Sequence, residues 1–431
     1  MKGLLITFLL TYGGSVVALF LPFVGLSIYY CFTVLRPEDL WFYAVEVGSG
    51  YSRTLALATL AGWTFRGFPK GDEQKRTLPI IGLLIAFAMS VLASAWLGVD
   101  PQRSELITSS MLKIALMTTV GFCLVDSVKR VKILLWVFIL SQGYVTFDLN
   151  LETLMSGQNI VLNRDGFGTL NNNTFALSLL PGIGLCLMTG VFEQRLFPRA
   201  VAIFCALTAI HVILLSASRG AYLGLIAIGG LAFYFMPKNR TTMVLFLLIL
   251  LVAGVLIGEP VREEFMSMFA DKLDTSATKR FDMWNAAFHI MMEYPILGVG
   301  PTNFGVFSGN YEGLDQDSAV HNLYLQTGSD CGFLGLGLLL AFYFVTLRII
   351  ANAISWKGEE IFKIDPVIAA VTTGAFAGVV GYLVHSCFSS GVIIETPYLT
   401  VLLGAAAVRL SHKEIKQVVE EKIPAMAVAN A

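Results

Sequence analysis

LPIIGLLIAFAMSVLASAWL, residues 78–97, is twenty residues long and carries no charge. As a helix rising 1.5 Å per residue it spans about 30 Å, the thickness of a bilayer's hydrocarbon. Working outward, comparable apolar runs recur near 51–67, 104–125, 131–149, 174–192, 199–217, 220–236, 241–258, 331–350, 366–388 and 394–410. The opening run, Leu4 to Leu35, contains Pro22 and as one helix reaches about 48 Å. It is either one bent span or two short ones, which makes 12 or 13 spans in all. With 56% hydrophobic and only 14% charged residues, the 431-residue chain is excluded from the soluble multidomain class. The expected fold is all-α: a polytopic membrane protein with 12–13 transmembrane helices and one large, partly helical outer loop.

Charge sets the expected sidedness. The 29 Lys+Arg against 30 Asp+Glu leave no basic excess for nucleic acid. Sorted by loop, eighteen Lys and Arg fall on one side and nine on the other, with Lys2 and Lys113 unassigned. Cations in short loops favour the cytoplasm, so the second side is expected outside and the C-terminus inside. The outer side carries the long connections 36–50, 150–173 and 259–330, and a loop of that last length usually has a function. The expected organisation is therefore a bundle over 1–258, the outer loop over 259–330, further spans over 331–410 and a cytoplasmic tail over 411–431. The first 30 residues lack a small-x-small cleavage pattern and read as an uncleaved span. Six cysteines show no C-x-x-C spacing and mostly lie in apolar runs, so neither zinc nor a disulfide is expected.

Several residues carry chemistry on the outer side. Ser218-Arg219-Gly220 sits between two spans, where an arginine either snorkels to headgroups or is used, and small neighbours permit close approach. Lys279 to Met292 reads as an amphipathic helix stopped by Pro295, with Phe281, Trp284, Phe288 and Met291 or Met292 on one face and Arg280 at its start. That stripe is expected to pack on the bundle or lie in the headgroup layer. Gly298-Val299-Gly300-Pro301 follows as a tight turn, by itself weak evidence for phosphate binding. His321-Asn322 precedes the next span, where an imidazole near neutrality accepts a proton. His385 is a supporting candidate, while His211 and His412 read as structural. Asp315 and Asp317 form a D-x-D read as a solvated loop, and Lys113 lies mid-span, where pairing is its expected use. Two arginines and a histidine on one side suit glycan transfer from a lipid diphosphate: the guanidinium forks take the developing pyrophosphate and the imidazole takes the acceptor proton.

Three segments carry a resemblance: S-R-G-A at 218–221; R-x-x-x-W from Arg280, followed by Y-P-I-L-G-V-G-P-x-N-F; and H-N-L-Y-L, then D-C-G-F-L-G-L. Over roughly 216–340 the chain resembles the O-antigen ligase family. Residues 1–68 and N-R-D-G-F-G-T-L-N-N-N-T at 163–174 resemble its branch of O-glycosylation ligases accompanying exosortase systems. The resemblance implies a metal-independent, cofactor-free, inverting glycosyltransferase of the bacterial inner membrane. Its donor would be an undecaprenyl-diphosphate-linked glycan, and its acceptor a lipid, protein or polysaccharide, met on the periplasmic side. Arg219 and Arg280 would bind the diphosphate and His321 would be catalytic. Asn322, Trp284, Arg164 and His385 are further candidates for substrate contact. Asp330 stands where the family pattern leads one to expect Glu, and its role is open. A repeat-unit polymerase or a protein O-oligosaccharyltransferase fits the same residues. A secondary transporter or lipid flippase would instead need broken mid-membrane helices and paired intramembrane charges.

Overall fold

The computed structural model describes residues 2–46, 48, 50–67, 77–256, 275–311, 313–356 and 365–411. Outside them lie the first part of the long loop (259–274), the cations Lys70, Lys75, Arg76, Arg262, Lys272, Lys357 and Lys363, and His412 with the tail. The described chain is all-helical, with one isolated bridge between Phe167 and Leu170.

The helices in chain order are α1 (Lys2–Phe20), α2 (Pro22–Leu35), α3 (Tyr51–Phe65), α4 (Leu78–Leu97), α5 (Pro101–Leu124), α6 (Val128–Ser156) and α7 (Asn172–Phe192). Then come α8 (Leu196–Leu215), α9 (Arg219–Phe235), α10 (Arg240–Leu256), α11 (Thr275–Glu293), α12 (Leu323–Trp356), α13 (Pro366–His385) and α14 (396–411). Among the described residues, eight helices are long and apolar enough to cross a membrane, and Pro22–Leu35, Arg219–Phe235 and Arg240–Val252 are shorter apolar helices. The opening run is two helices. Leu21 leaves the helical region at φ −132°, ψ 76°, and Pro22, which has no N–H to lose, starts α2. A Cβ on Gly14 would meet Ile28 and one on Gly25 would meet Ala18, so α1 and α2 fold back antiparallel.

α7 and α13 form the centre, with 89% and 72% of their apolar windows buried. Small residues let them approach closely: a Cβ on Gly184 would lie 2.5 Å from the Gly374 carbonyl, and one on Gly378 2.4 Å from that of Pro181. At one end of the bundle, buried Arg409 of α14 donates to the carbonyls of Phe122 and Val125, satisfying the C-terminus of α5 where the helix dipole favours a cation.

The loop before α12 is folded at the opposite end. α11 buries Met283, Ala286, Ala287 and Ile290. Of the expected stripe, Trp284 is half-buried and Met291 buried against the protein, while Phe281, Phe288 and Met292 are exposed. The two alanines permit the closest backbone approach, and the larger rings are left on the flank. The expected boundary at 331 falls inside α12, which begins eight residues earlier and kinks at Gly332 (φ 66°, ψ −172°). The Gly298 to Pro301 turn docks on that kink. The N–H groups of Val299 and Gly300 donate to Ser329 and Asp330, and Phe333 donates to Pro295. Those amides are consumed by the fold and do not cradle a phosphate.

An alanine Cβ at Gly332 would sit 2.4 Å from the Ile296 carbonyl in a left-handed backbone. Gly332→Ala is expected to cost about 2 kcal/mol or more, read as a lowered midpoint of thermal unfolding in detergent. An unchanged midpoint would show that the docked turn does not contribute to stability.

Candidate active site

Four breaks between helices meet at the end of the bundle that carries the folded loop. Between α8 and α9, Ala217 adopts a left-handed φ of 51° and turns the chain so that Ser216 and Ser218 are buried. The Asn172 carboxamide donates to the Ser216 carbonyl at 3.0 Å, and the Ser218 hydroxyl donates to Asn173 Oδ1 at 2.7 Å. Ser218 therefore does not cap α9, which opens directly on Arg219. The amides of Ala221 and Tyr222 return to the Ser218 carbonyl, so the guanidinium at the head of the helix is the group suited to an anion.

The small neighbour of Arg219 makes room for a histidine. A Cβ on Gly220 would lie 2.6 Å from His385 Nδ1 and 2.8 Å from Phe388 Cβ. His385 is fully buried at the end of α13, with Nε2 3.0 Å from the Asn173 carbonyl oxygen. It braces the α8–α9 turn from within, so its contact with Arg219 runs through the backbone of Gly220.

The loop joins this cluster through Trp284. Its indole N–H donates to the Val320 carbonyl at 3.1 Å, and its ring lies 6.4 Å from that of Phe388. One turn before Trp284 on α11, half-buried Arg280 exerts its charge on both His321 and His385. His321 is half-buried with a left-handed φ of 52°. Burial, and then the Arg280 charge, push its pKa below the usual histidine value, so the imidazole is neutral at pH 7 and protonates only at lower pH.

Asn322 fixes the next position. Its Oδ1 accepts from the N–H groups of Tyr324 and Leu325, capping α12, and its Nδ2 donates to the Cys387 carbonyl at 3.0 Å. Its polar atoms are engaged, which makes it an anchor for His321. Arg164 lies elsewhere at the same end, paired with Glu152 and 6.0 Å from the Phe42 ring centroid. No described contact ties it to the cluster.

The D-x-D carboxylates diverge. Asp317 pairs with Arg103 at 2.5 Å, and Asp315 lies 3.6 Å from Lys279. Asp330 is buried and accepts from Gln326 Nε2 and the Thr302 N–H, while its carbonyl accepts from Ser94 and Gly300, so it ties the loop to α12 and α4. His211 pairs with Asn150. Asn172, Asn173 and Phe388 are contributors that the sequence reading missed, and the Asn171-Asn172-Asn173 run was their one visible signal.

Beside α9 lies an apolar cleft of about 750 Å³. It runs from Tyr222, one turn below Arg219, to Met236, with Leu187 and Leu250 on facing helices. Residues 204–340 match the O-Antigen ligase family. The matched segment begins in α8, ends in α12 and contains Arg219, Arg280 and His321. The match supports a ligase-like membrane glycosyltransferase. No curated protein matches the chain.

Removing the cation next to His321 should raise its pKa. In Arg280→Gln the imidazole is expected to titrate at higher pH than in the parent yet still below about 6.5, because burial persists. Histidine NMR, assigned by difference with His321→Gln, reads this directly, and an unmoved titration would mean that the two groups are not coupled.

Proposed function

We propose that the protein transfers a glycan en bloc from a polyprenyl diphosphate of the undecaprenyl type to an acceptor hydroxyl at the periplasmic face of a bacterial inner membrane. The observation that carries this reading is the apolar cleft that begins one turn below Arg219 and follows α9 across the bundle. A lipid tail lying in it brings its diphosphate to Arg219 at the head of α9. Tyr222 to Met236 is fourteen residues, or about 21 Å of helix, enough for several isoprene units.

On this reading Arg219 and Arg280 bind the diphosphate and carry its charge as it leaves. Neutral His321 takes the acceptor's proton. The acceptor oxygen forms a bond to the anomeric carbon as the bond from that carbon to the diphosphate oxygen breaks, which inverts the centre. The lipid diphosphate departs with the electron pair, and the proton stays on the imidazole until water removes it. Trp284, Asn322 and His385 hold the three groups in register. Charge asymmetry supports the outside placement, eighteen cations against nine. The acceptor is a lipid, a protein or a growing polysaccharide, and product length separates the last, since a polymerase lengthens lipid-linked glycan with no other acceptor present.

One observation favours a second reading, movement of a lipid-linked substrate. Lys113 pairs with Glu395 at 2.9 Å inside the bundle, a paired intramembrane charge of the kind a transporter uses. Vesicle uptake without glycan transfer would select it.

His321→Ala is expected to reduce transfer by at least about 10²-fold with the thermal midpoint retained. Arg219→Lys and Arg280→Lys should each lose on the order of 10²-fold, since a point charge does not reproduce a bidentate fork. The assay is purified protein with labelled lipid-diphosphate glycan and a panel of acceptors. Full turnover by His321→Ala would remove the imidazole from the reaction.

A further inference from the structure

A second cavity has no Arg219, Arg280 or His321 in its lining. It encloses about 840 Å³ and runs from a rim at Arg36 and Arg103 down to Lys113, Gln142 and Glu395. Lys113 lies ten residues beyond Arg103 on α5, so the floor is about 15 Å below the rim. Both volume and depth are those of a ligand site.

Each of its three cations is paired, while Glu38 and Asp330 add two further carboxyl groups to the lining. Arg36 pairs with Asp39 and Arg103 with Asp317, while the floor pair of Lys113 and Glu395 is completed by Tyr29 and Thr33, whose hydroxyls donate to Glu395 at 2.8 and 2.6 Å. Every cation lining the cavity is thus already matched by a carboxylate, which makes it a poor site for a diphosphate. The walls are mixed: hydrogen-bonding side chains such as Gln142, Ser178 and Ser390 are set among apolar ones such as Phe32, Val145 and Leu179. Donors and acceptors in alternation, with Phe304 and Tyr51 among them, suit a neutral ligand rich in hydroxyl groups.

Gln142 points the same way. It is 1% exposed on α6 and lines the cavity, with Gly182 leaving room for its amide, yet neither its Oε1 nor its Nε2 has a hydrogen-bond partner. A buried carboxamide with both ends unsatisfied costs several kcal/mol unless something supplies the partners. The cavity also reaches the reacting end: Ala319, Leu323 and Ser390 line it, and Ser390 Oγ accepts from the Asn322 N–H, directly behind His321.

We infer that this cavity binds a neutral saccharide segment of a substrate, with the Gln142 carboxamide and the Glu395 carboxylate hydrogen-bonding its hydroxyls. The inference rests on the transfer reading for its biological meaning, while binding itself is independent of turnover. The test uses the full-length protein in lipid nanodiscs and saturation-transfer NMR with neutral trisaccharides of glucose, galactose and N-acetylglucosamine, and with inorganic diphosphate as competitor. At least one trisaccharide should bind the parent and His321→Ala alike, without displacement by diphosphate. Gln142→Leu should weaken it tenfold or more while leaving thermal stability equal or higher, since the amide it removes is unsatisfied. Gln142→Met is the second variant should leucine fail to pack. In the transfer assay the same substitution raises KM for the lipid-linked glycan if the donor's sugars occupy the cavity, and for the acceptor if the acceptor's do. Absence of saccharide binding to the parent, binding unaltered in both Gln142 variants, or displacement by diphosphate would each overturn the inference. Those results leave the His321 reading intact, which stands or falls on the activity of His321→Ala.

Discussion

In hydrocarbon a backbone N–H or C=O without a partner costs several kcal/mol, and water is not there to supply one. Every interruption of a helix must therefore be answered by another element. Arg409 answers the end of α5 on one side of the bundle, and a larger set of answers is gathered at the other. The α8–α9 turn is held by Asn172 and Ser218, the end of α13 by Asn173 through His385, and the start of α12 by Asn322 and by the Leu323 N–H on Ser386. The loop is tied in by Trp284 on Val320 and by the Val299 and Gly300 amides on α12. Arg219, Arg280 and His321 are carried by segments whose first obligation is to satisfy one another.

The same constraint separates the two cavities by chemistry. Along α9 the walls are helix surfaces with complete internal hydrogen bonding, so the cleft is apolar and suited to a chain that asks for nothing polar. On the far side of the 385–391 turn the walls come from α2, α5, α6, α7 and the loop, where carboxyl groups, amides and hydroxyls are set among apolar side chains. A molecule with a hydrocarbon tail, a charged linkage and a hydroxylated head meets three different environments over a few nanometres. Their order, apolar then cationic then neutral polar, is the order of parts in a lipid-linked glycan.

Much of the helical framework was legible because hydropathy reports burial in lipid directly: the run 78–97 is the helix Leu78–Leu97. Hydropathy does not report a helix that is polar yet protein-covered. The first turns of α12, from Leu323 to the break at Gly332, carry Gln326 and Asp330 against the loop and do not read as a span, whereas the apolar run near 331–350 begins beside that break. The two arginines and His321 could be assigned to one end by counting crossings, since alternate loops share a side. Phe388 and Asn173 could not, because their roles arise from contacts between distant segments. Lys113 was read as a charge in search of a partner, and Glu395, at the start of the run near 394–410, was not singled out as that partner. The aromatic stripe on α11 was legible as a pattern, but periodicity finds a face without saying which residues meet the protein: Ala286 and Ala287 do, while Phe281 and Phe288 are exposed.

The left-handed backbone at His321 has a consequence of its own. A residue with a β-carbon there stores about 1–2 kcal/mol that glycine would release. Judged by folding alone, this position is filled by the wrong amino acid, and the neighbouring cap at Asn322 holds it in that conformation. The positive φ turns the chain immediately before the helical approach to α12. Stability here is spent on direction, so a sequence optimised for a firmer fold would drift toward glycine at 321 and lose the imidazole with it.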